Sequence, residues 1–329
     1  MTTDATSVTL VVTAKKDLTA DLVVRELGRA GAGTGTGTGT GRVHRIDPAD
    51  VPRALEIEAD LKSGAFRLRD RYRTTHSDDI TAVYWRKPQA SGQDEHVAAL
   101  FGLLFTLDTP LWVNHPWHNE RAAHKPPQLI QARRSGLAVP DTLISSERET
   151  ALKFMESGEF RVITKTLRQQ QGALEPARIA APEDAETGLI LLQQYVEKDF
   201  DVRLTVVGEQ FFAARIVSPP GVTDWRQPSP GTLTFEALRE IPPDVRRGVS
   251  SYMEFYGLRY GAFDFAVDRQ GCWWFLECNP NGQYGFIEYA TGLKISRALA
   301  HLLLRPAPLP SANLPPADIG GGRRFVGQG

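Results

Sequence analysis

Apolar positions along the chain fall into two alternating patterns. Ser7 to Thr13 (SVTLVVT) is a short, nearly continuous apolar run, as a strand of a buried parallel sheet requires. Asp17 follows as a helix cap, and Leu18, Leu22, Val23 and Leu27 then recur on one helical face. A second strand at Arg42 to Ile46 completes a β-α-β start. Further strands are predicted at Asp79 to Trp85, ended by Arg86-Lys87-Pro88, and at Leu111 to Val113, leading into Asn114-His115-Pro116; Glu95 to Thr106 between them is helical in pattern. Between the first helix and Arg42 lies an alternating Gly/Thr run, Gly33 to Gly41. A dinucleotide fingerprint needs its glycines between strand and helix, so this run is read as a flexible insertion that binds nothing.

The Pro- and His-containing segment Pro116 to Pro127 marks a change of composition and the expected boundary between residues 1–118 and 119–304. Pro126-Pro127 beside Lys125 signal a helix start, continuing through Leu129, Ile130 and Ala132 to about Gly136. A capped helix is expected from Ser146 to Ser157. The strand Arg161 to Thr166 carries Lys165, which belongs either at a sheet edge or against an anionic ligand. Ile190 to Val196 reads as a buried strand or linker. Phe200 to Val207 and Gln210 to Val217 form a hairpin around Gly208-Glu209, with Asp201 and Arg203 on one face. A Pro/Gly loop, Ser218 to Gly231, contains Asp224-Trp225-Arg226, and the helix Pro243 to Tyr256 follows. A last helix, Gly292 to Leu304, is expected behind Thr291 as cap; the Pro- and Gly-rich residues 305–329 are expected to be disordered.

The richest chemistry sits in Tyr260 to Gly285, YGAFDFAVDRQGCWWFLECNPNGQYG. Two apolar runs flank Asp268-Arg269-Gln270-Gly271, a hairpin signal. Simple alternation puts Ala262, Asp264 and Ala266 on one face, and Trp273, Phe275, Glu277 and Asn279 on one face of the second strand. In simple register Val267 lies opposite Cys272 and Asp264 opposite Phe275, which makes Asp264 and Glu277 diagonal neighbours, roughly 7–8 Å apart along the backbone. Two carboxylates and an amide oxygen form a hard, oxygen-only donor set that suits Mg²⁺ carrying nucleotide phosphates rather than zinc. Acids on a solvated face are the alternative; the turn formers and amides of Asn279-Pro280-Asn281-Gly282-Gln283 weigh against it.

Composition narrows the setting. The 329 residues are 41% hydrophobic with a formal net charge of −1, which leaves no charge excess for nucleic acid or an acidic membrane. Two cysteines, Cys272 and Cys278, make no disulfide framework and are expected to be buried, reduced thiols in the cytoplasm. No signal peptide or spanning segment is expected.

In order, Lys125 before a helix, Lys165 on a strand, Gln193-Gln194-Tyr195-Val196, Asp201-Val202-Arg203 and Asp264…Glu277-x-Asn279 resemble the ATP-grasp superfamily over about residues 8 to 304. The resemblance implies an α/β (α+β) architecture: an ATP-grasp fold behind a Rossmann-like pre-ATP-grasp domain. By the same likeness Lys125 and Lys165 reach the phosphates of ATP, backbone groups of Gln194, Tyr195 and Val196 hold adenine, Asp201 takes the ribose, and Asp264, Glu277 and Asn279 coordinate Mg²⁺, with two ions expected. Val83-Tyr84-Trp85-Arg86-Lys87-Pro88, Asn114-His115-Pro116, Lys125-Pro126-Pro127-Gln128-Leu129 and Asn279 to Tyr284 look like the graspetide, microviridin-type, ATP-grasp peptide maturases, closest to their actinobacterial branch. That likeness implies a ligase that closes side-chain esters or amides in a ribosomal precursor peptide, leader plus core, through an acyl phosphate. Arg203 and Arg226 would assist phosphoryl transfer. The alternative is a RimK-like ligase that adds free amino acids. No nucleic-acid or membrane partner is expected, and a homodimer is left open. Arg215 departs from the pattern, since microviridin ligases look to carry an acid there, and the Gly/Thr run is no part of it.

Overall fold

The computed structural model describes residues 7–32, 42–88, 94–108, 110–167, 177–186, 188–227 and 231–304. The Gly/Thr run and the C-terminal tail lie outside them. The chain opens with β1 (Val8–Thr13), α1 (Leu18–Ala32) and β2 (Arg42–Ile46), with β2 parallel to β1. Asp17 caps α1 as its position predicts: its Oδ1 accepts from the amides of Thr19 and Ala20 at 3.0 and 3.1 Å. Val23 and Leu27 are buried beneath the helix, but Leu18, expected on the same face, is 81% exposed.

An antiparallel meander that the hydrophobic pattern did not announce comes next: β3 (Glu56–Asp60), β4 (Ala65–Arg69) and β5 (Thr74–His76). It escapes notice because only Phe66 and Leu68 on β4 and Thr75 on β5 are buried, while β3 carries Glu56 and Glu58 that pair with Arg69 and Arg67 across the strands. The chain then returns to the first sheet through β6 (Ile80–Arg86), α2 (Glu95–Phe105) and β7 (Leu111–Val113). All four strands are parallel, in the order β2-β1-β6-β7. Alternate side chains feed two cores: Leu10, Val12, Val83 and Trp85 pack with Leu100, Leu104, Phe66 and Leu68, whereas Val11, Ala82 and Tyr84 pack with Val23 and Leu27. Each such fully buried side chain stabilises the fold by roughly 1.5–3 kcal/mol.

Two short helices follow, α3 (Pro116–Ala122) and α4 (Lys125–Arg134), the latter starting at the predicted Lys-Pro-Pro. A second sheet is built from β8 (Thr142–Ser145), β9 (Val162–Lys165), β10 (Arg178–Ile179) and β11 (Ile190–Gln194), in the antiparallel order β10-β9-β11-β8, with α5 (Arg148–Met155) against it. Ile190 onward is therefore an interior strand, not a linker. The cap of α5 is Glu147, whose side chain accepts from the Thr150 hydroxyl instead of capping a backbone amide, so the predicted Ser146 start is one residue early. β9 is flanked on both sides, which removes the sheet-edge reading of Lys165.

The third sheet comprises β12 (Lys198–Val207), β13 (Gln210–Val217), β14 (Thr234–Leu238), β15 (Tyr260–Asp268) and β16 (Trp273–Asn279), ordered β14-β13-β12-β15-β16 and antiparallel throughout, with α6 (Pro243–Tyr256) on its apolar face. Val202, Leu204, Phe263, Phe265 and Phe275 meet Val249, Tyr252 and Tyr256 there. The chain ends in α7 (Gly285–Thr291) and α8 (Ile295–Leu304). Thr291 closes α7 instead of capping α8, and Gly292 takes the left-handed C-cap conformation at φ +72° that stops the first helix. Ile287 and Leu299 share a core with Val11 and Leu27, so the end of the chain packs on its beginning. Among the described residues no helix is long and apolar enough to cross a membrane.

Candidate active site

The β15–β16 hairpin departs from simple alternation at one residue. Phe265 pairs with Phe275 but Asp264 pairs with Glu277, so Leu276 is the extra residue of a β-bulge. Both expected pairings are corrected: Val267 lies opposite Trp273 and not Cys272, a shift of one residue, and the bulge adds a second, so Asp264 meets Glu277 and not Phe275 and the acids are direct cross-strand partners rather than diagonal ones. The bulge also splits the face expected to be common to Trp273, Phe275, Glu277 and Asn279: the two aromatics enter the apolar core, whereas Glu277 joins Asp264 on the opposite face. Without it, a carboxylate would have followed Phe275 into the core, where an unpaired charge is prohibitive.

β12 extends the row. Arg203 pairs in register with Asp264, and its Nη1 donates to both carboxylate oxygens at 2.8 and 2.9 Å. Its Nη2 donates to the Gln283 carbonyl at 3.2 Å. On the other side Arg226 Nη1 donates to Glu277 Oε1 at 3.0 Å, while its Nε and Nη2 hold Asp224 at 2.9 and 2.6 Å. Two carboxylates thus lie between two guanidinium groups. Burial pushes both acids up, yet Arg226, Lys125, Lys165 and Arg203 hold Glu277 below the ordinary carboxylate range; Asp264 stays raised by burial, against the pull of Arg203 and with the push of Glu277. Burial likewise raises Asp224, but the bonds and charge of Arg226 win and bring it to about 2.

Asp264, Glu277, Asp224 and Arg226 line a cleft between the second and third sheets. Its lining includes Lys165, Gln194, Tyr195, Val196, Asp201, Arg226, Asp264 and Glu277, eight of the residues singled out in the sequence. Three others stand around it. Lys125 Nζ donates to the Thr166 carbonyl at 2.5 Å, next to Lys165. Arg203 lies behind Asp264. Asn279 ends β16 opposite Ala262, and its Oδ1 accepts from the Asn281 amide at 3.0 Å.

Lys165 Nζ donates to Gln193 Oε1 at 2.7 Å. Burial, opposed by Glu277 and reinforced by Lys125 and Arg226, lowers its ammonium to about 8. In the Gln194 to Val196 stretch two amides are committed: Gln194 N–H to the Asp141 carbonyl at 2.8 Å and Tyr195 N–H to the Arg161 carbonyl at 2.7 Å. Asp201 is 2% exposed, and Lys198 Nζ stands 2.7 Å from its Oδ2. Burial raises it to about 6 against the attraction of Lys198. Lys198 and Asp224 escaped the sequence reading. Asp224, two residues before Arg226, carried a weak signal; Lys198 carried none, because its contact with Asp201 needs the bulge that shifts register between Lys198 and Phe200.

Gly282 explains part of the Asn279 to Gln283 loop. A Cβ there would stand 2.6 Å from Ala262 Cβ and 2.8 Å from Arg203 Nη2, so only glycine lets the loop close over the acidic row. Asn114 secures that loop from below: its Nδ2 donates to the Tyr260 and Pro280 carbonyls at 2.9 and 2.8 Å, and its Oδ1 accepts from the Arg259 and Tyr260 amides at 2.7 and 2.9 Å. Arg215 faces away, paired with Asp199 and Glu236 and stacked over Phe200.

No family model matches the chain. Solved structures do. Macrocyclase MdnC bound with precursor peptide MdnA, from Microcystis aeruginosa MRC, superposes with a TM-score of 0.75 at 24% identity, over 91% of this chain and 99% of that one. A Chryseobacterium gregarium RiPP-associated ATP-grasp ligase in complex with ADP and a leader and core peptide gives 0.78 at 22% identity, over 92% and 98%. The fold is ATP-grasp. A third ATP-grasp structure, the ligase PsnB complexed with a phosphomimetic variant of minimal precursor, Mg and ADP, gives 0.71 at 20% identity over 91% and 98%. The overlap runs nearly end to end and so takes in the parallel sheet as well as the two sheets around the cleft.

Proposed function

We propose that the chain is an ATP-dependent carboxylate ligase that closes side-chain ester or amide crosslinks in a ribosomally made precursor peptide, leader plus core. The observation that carries the reading is the row Arg203, Asp264, Glu277, Arg226, with Asp264, Glu277 and Arg226 lining the cleft and Arg203 behind them, in an ATP-grasp fold whose compared structures include a macrocyclase bound with its precursor peptide. Residues 1–118 form the pre-ATP-grasp unit in this reading and residues 119–304 the nucleotide-holding one. Two free cysteines suit a cytoplasmic setting.

The donor set fits Mg²⁺. Among the described residues no three His, Cys, Asp or Glu side chains converge on one point, so a protein cage for zinc or calcium has no candidate there. Two carboxylates and the Asn279 amide, the rest of the shell coming from phosphate and water, is how Mg²⁺ is usually held. Asp264, Glu277 and Asn279 would hold the metal, two ions in the full reading, and it would neutralise charge on the phosphate oxygens of ATP. Lys165 and Lys125 would bind those phosphates, the Val196 amide and neighbouring carbonyls the adenine, and Asp201 with Lys198 the ribose. Arg203 and Arg226 orient the two acids and stand ready to stabilise charge on the transferred phosphoryl group.

In the reaction a substrate Asp or Glu carboxylate attacks the γ-phosphorus, and ADP leaves. A Thr or Ser hydroxyl, or a Lys amine, of the same peptide then attacks the acyl carbon and expels phosphate. The peptide loses one water, about 18 Da per ring, while a free amino-acid ligase would add mass and a kinase would add about 80 Da. Incubation with ATP, Mg²⁺ and a Thr- and Asp-rich precursor encoded beside the chain, followed by intact-mass measurement, tests the reading. Hydroxylamine should trap the activated carboxylate as a hydroxamate. Release of AMP, or any gain in peptide mass, sinks it.

A further inference from the structure

The site described so far accounts for nucleotide and metal but leaves the carboxylate to be activated without a partner. The parallel sheet supplies one. In the order β2-β1-β6-β7 the chain steps from β1 to one side and resumes on the other, so the switch point lies between β1 and β6. Open α/β sheets bind ligands in the crevice outside the carboxyl ends of the strands at such a point.

Three charged residues gather there. Asp17, just past β1, accepts from Thr13 Oγ1 at 2.9 Å, and its Oδ2 lies 3.4 Å from Arg86 Nε at the end of β6. Arg86 is 1% exposed and reaches across to the metal-ligand loop, where Nη1 donates to the carbonyls of Asn281 and Gly282. Among the described residues Arg86 Nη2 is buried without a hydrogen-bond partner. Lys87 follows, exposed, within electrostatic reach of Asp17, Arg86 and Arg203. It is the one non-glycine described residue with positive φ, at +40°. A side chain held in the left-handed region is strained, and such strain collects at functional sites. Arg86 thus ties the crevice to the loop two residues beyond Asn279, and Lys87 adds an exposed positive charge beside it.

We propose that this crevice receives the side-chain carboxylate of the substrate peptide, and that Lys87 contacts it. The proposal deepens the ligase reading and rests on it for the chemical class of the ligand. Asp17, the acidic group within electrostatic reach of Lys87, is already matched by Arg86, so the surplus charge there is positive and suited to a single carboxylate.

The test is a binding titration on the full chain with Mg²⁺ and a non-hydrolysable ATP analogue, using N-acetyl-glutamate α-amide as a lone side-chain carboxylate and free glutamate as the competing source, read by ligand-observed NMR. Lys87→Gln should weaken binding of the amide probe about tenfold, the loss of one charge-assisted hydrogen bond. Lys87→Arg should restore most of it, and affinity for the nucleotide analogue should stay unchanged in both. Lys87→Gly separates backbone from side chain: it relieves the left-handed strain, so its thermal unfolding should match or exceed wild type while carboxylate binding falls as in Lys87→Gln. Unaltered probe binding in Lys87→Gln or in Lys87→Gly overturns the proposal. So does absence of saturable binding by the wild type, or a clear preference for free glutamate. The intact-mass assay reports on the ligase reading separately: crosslinking that survives Lys87→Gln at wild-type KM for the precursor removes this proposal and leaves that reading standing.

Discussion

Glu277→Gln isolates the charge of the metal carboxylate from its packing. Gln keeps the shape and an acceptor for Arg226 Nη1, now 3.0 Å from Glu277 Oε1. Arg226 is not orphaned, since Asp224 still accepts from its Nε and Nη2 at 2.9 and 2.6 Å. A bond between two ions becomes one from a charged donor to a neutral acceptor, a loss of about 1 kcal/mol, and relief of the repulsion against Asp264 offsets part of it. The unliganded variant should therefore unfold within a few degrees of wild type. Function should diverge sharply. Mg-ATP at about a hundred times its Kd stabilises a protein by about 2.7 kcal/mol, a rise in Tm of about 4 °C for a chain of this size. Wild type should show that rise, and Glu277→Gln should lose most of it together with ATP turnover. Differential scanning fluorimetry with and without Mg-ATP, paired with a phosphate-release assay, measures both. Glu236→Gln is the control: Glu236 pairs with Arg215 at 3.9 Å on the same sheet, outside the cleft, and should change neither readout. A Glu277→Gln protein that keeps the nucleotide-induced shift and turns over ATP normally would refute the assignment of Glu277 as a metal ligand.

Two other substitutions probe the surroundings of the row. Gly282→Ala forces a Cβ to within 2.6 Å of Ala262 Cβ and 3.3 Å of Asn279 Cβ, so the loop must shift. The expected cost is about 1–3 kcal/mol in thermal unfolding together with reduced ATP turnover, and a fully active, equally stable variant contradicts the packing described. Asp201 gives a pH signature: its folded pKa is raised from 3.8 to about 6, so the stability it contributes is present at low pH and lost as pH rises through 6. Denaturation of the nucleotide-free protein at pH 4 and pH 7 should show Asp201→Asn gaining on wild type by up to about 3 kcal/mol over that interval, and a pH-independent difference would mean that Asp201 is not buried as described.

Much of the architecture could be read from the chain because local chemistry and global fold agree. The apolar run of β1, the Asp17 cap, the Lys-Pro-Pro start of α4 and the Gly208-Glu209 turn of the β12–β13 hairpin each require only neighbours in sequence. The ordered set from Lys125 to Asn279 likewise pointed to the ATP-grasp fold. Other features depend on partners far along the chain. The β3–β5 meander buries too few side chains to print a pattern, and Ile287 and Leu299 close the core begun by Val11 and Leu27 from almost three hundred residues away. The acidic row itself was settled in three dimensions. Period-two alternation assigns Glu277 to the face of Phe275, and one extra residue in the strand, Leu276, reverses that. A bulge is paid for by ladder hydrogen bonds foregone and is favoured by what it avoids, a carboxylate in an aromatic core, a balance of burial and charge that exists only once β12, β15, β16 and α6 have packed together.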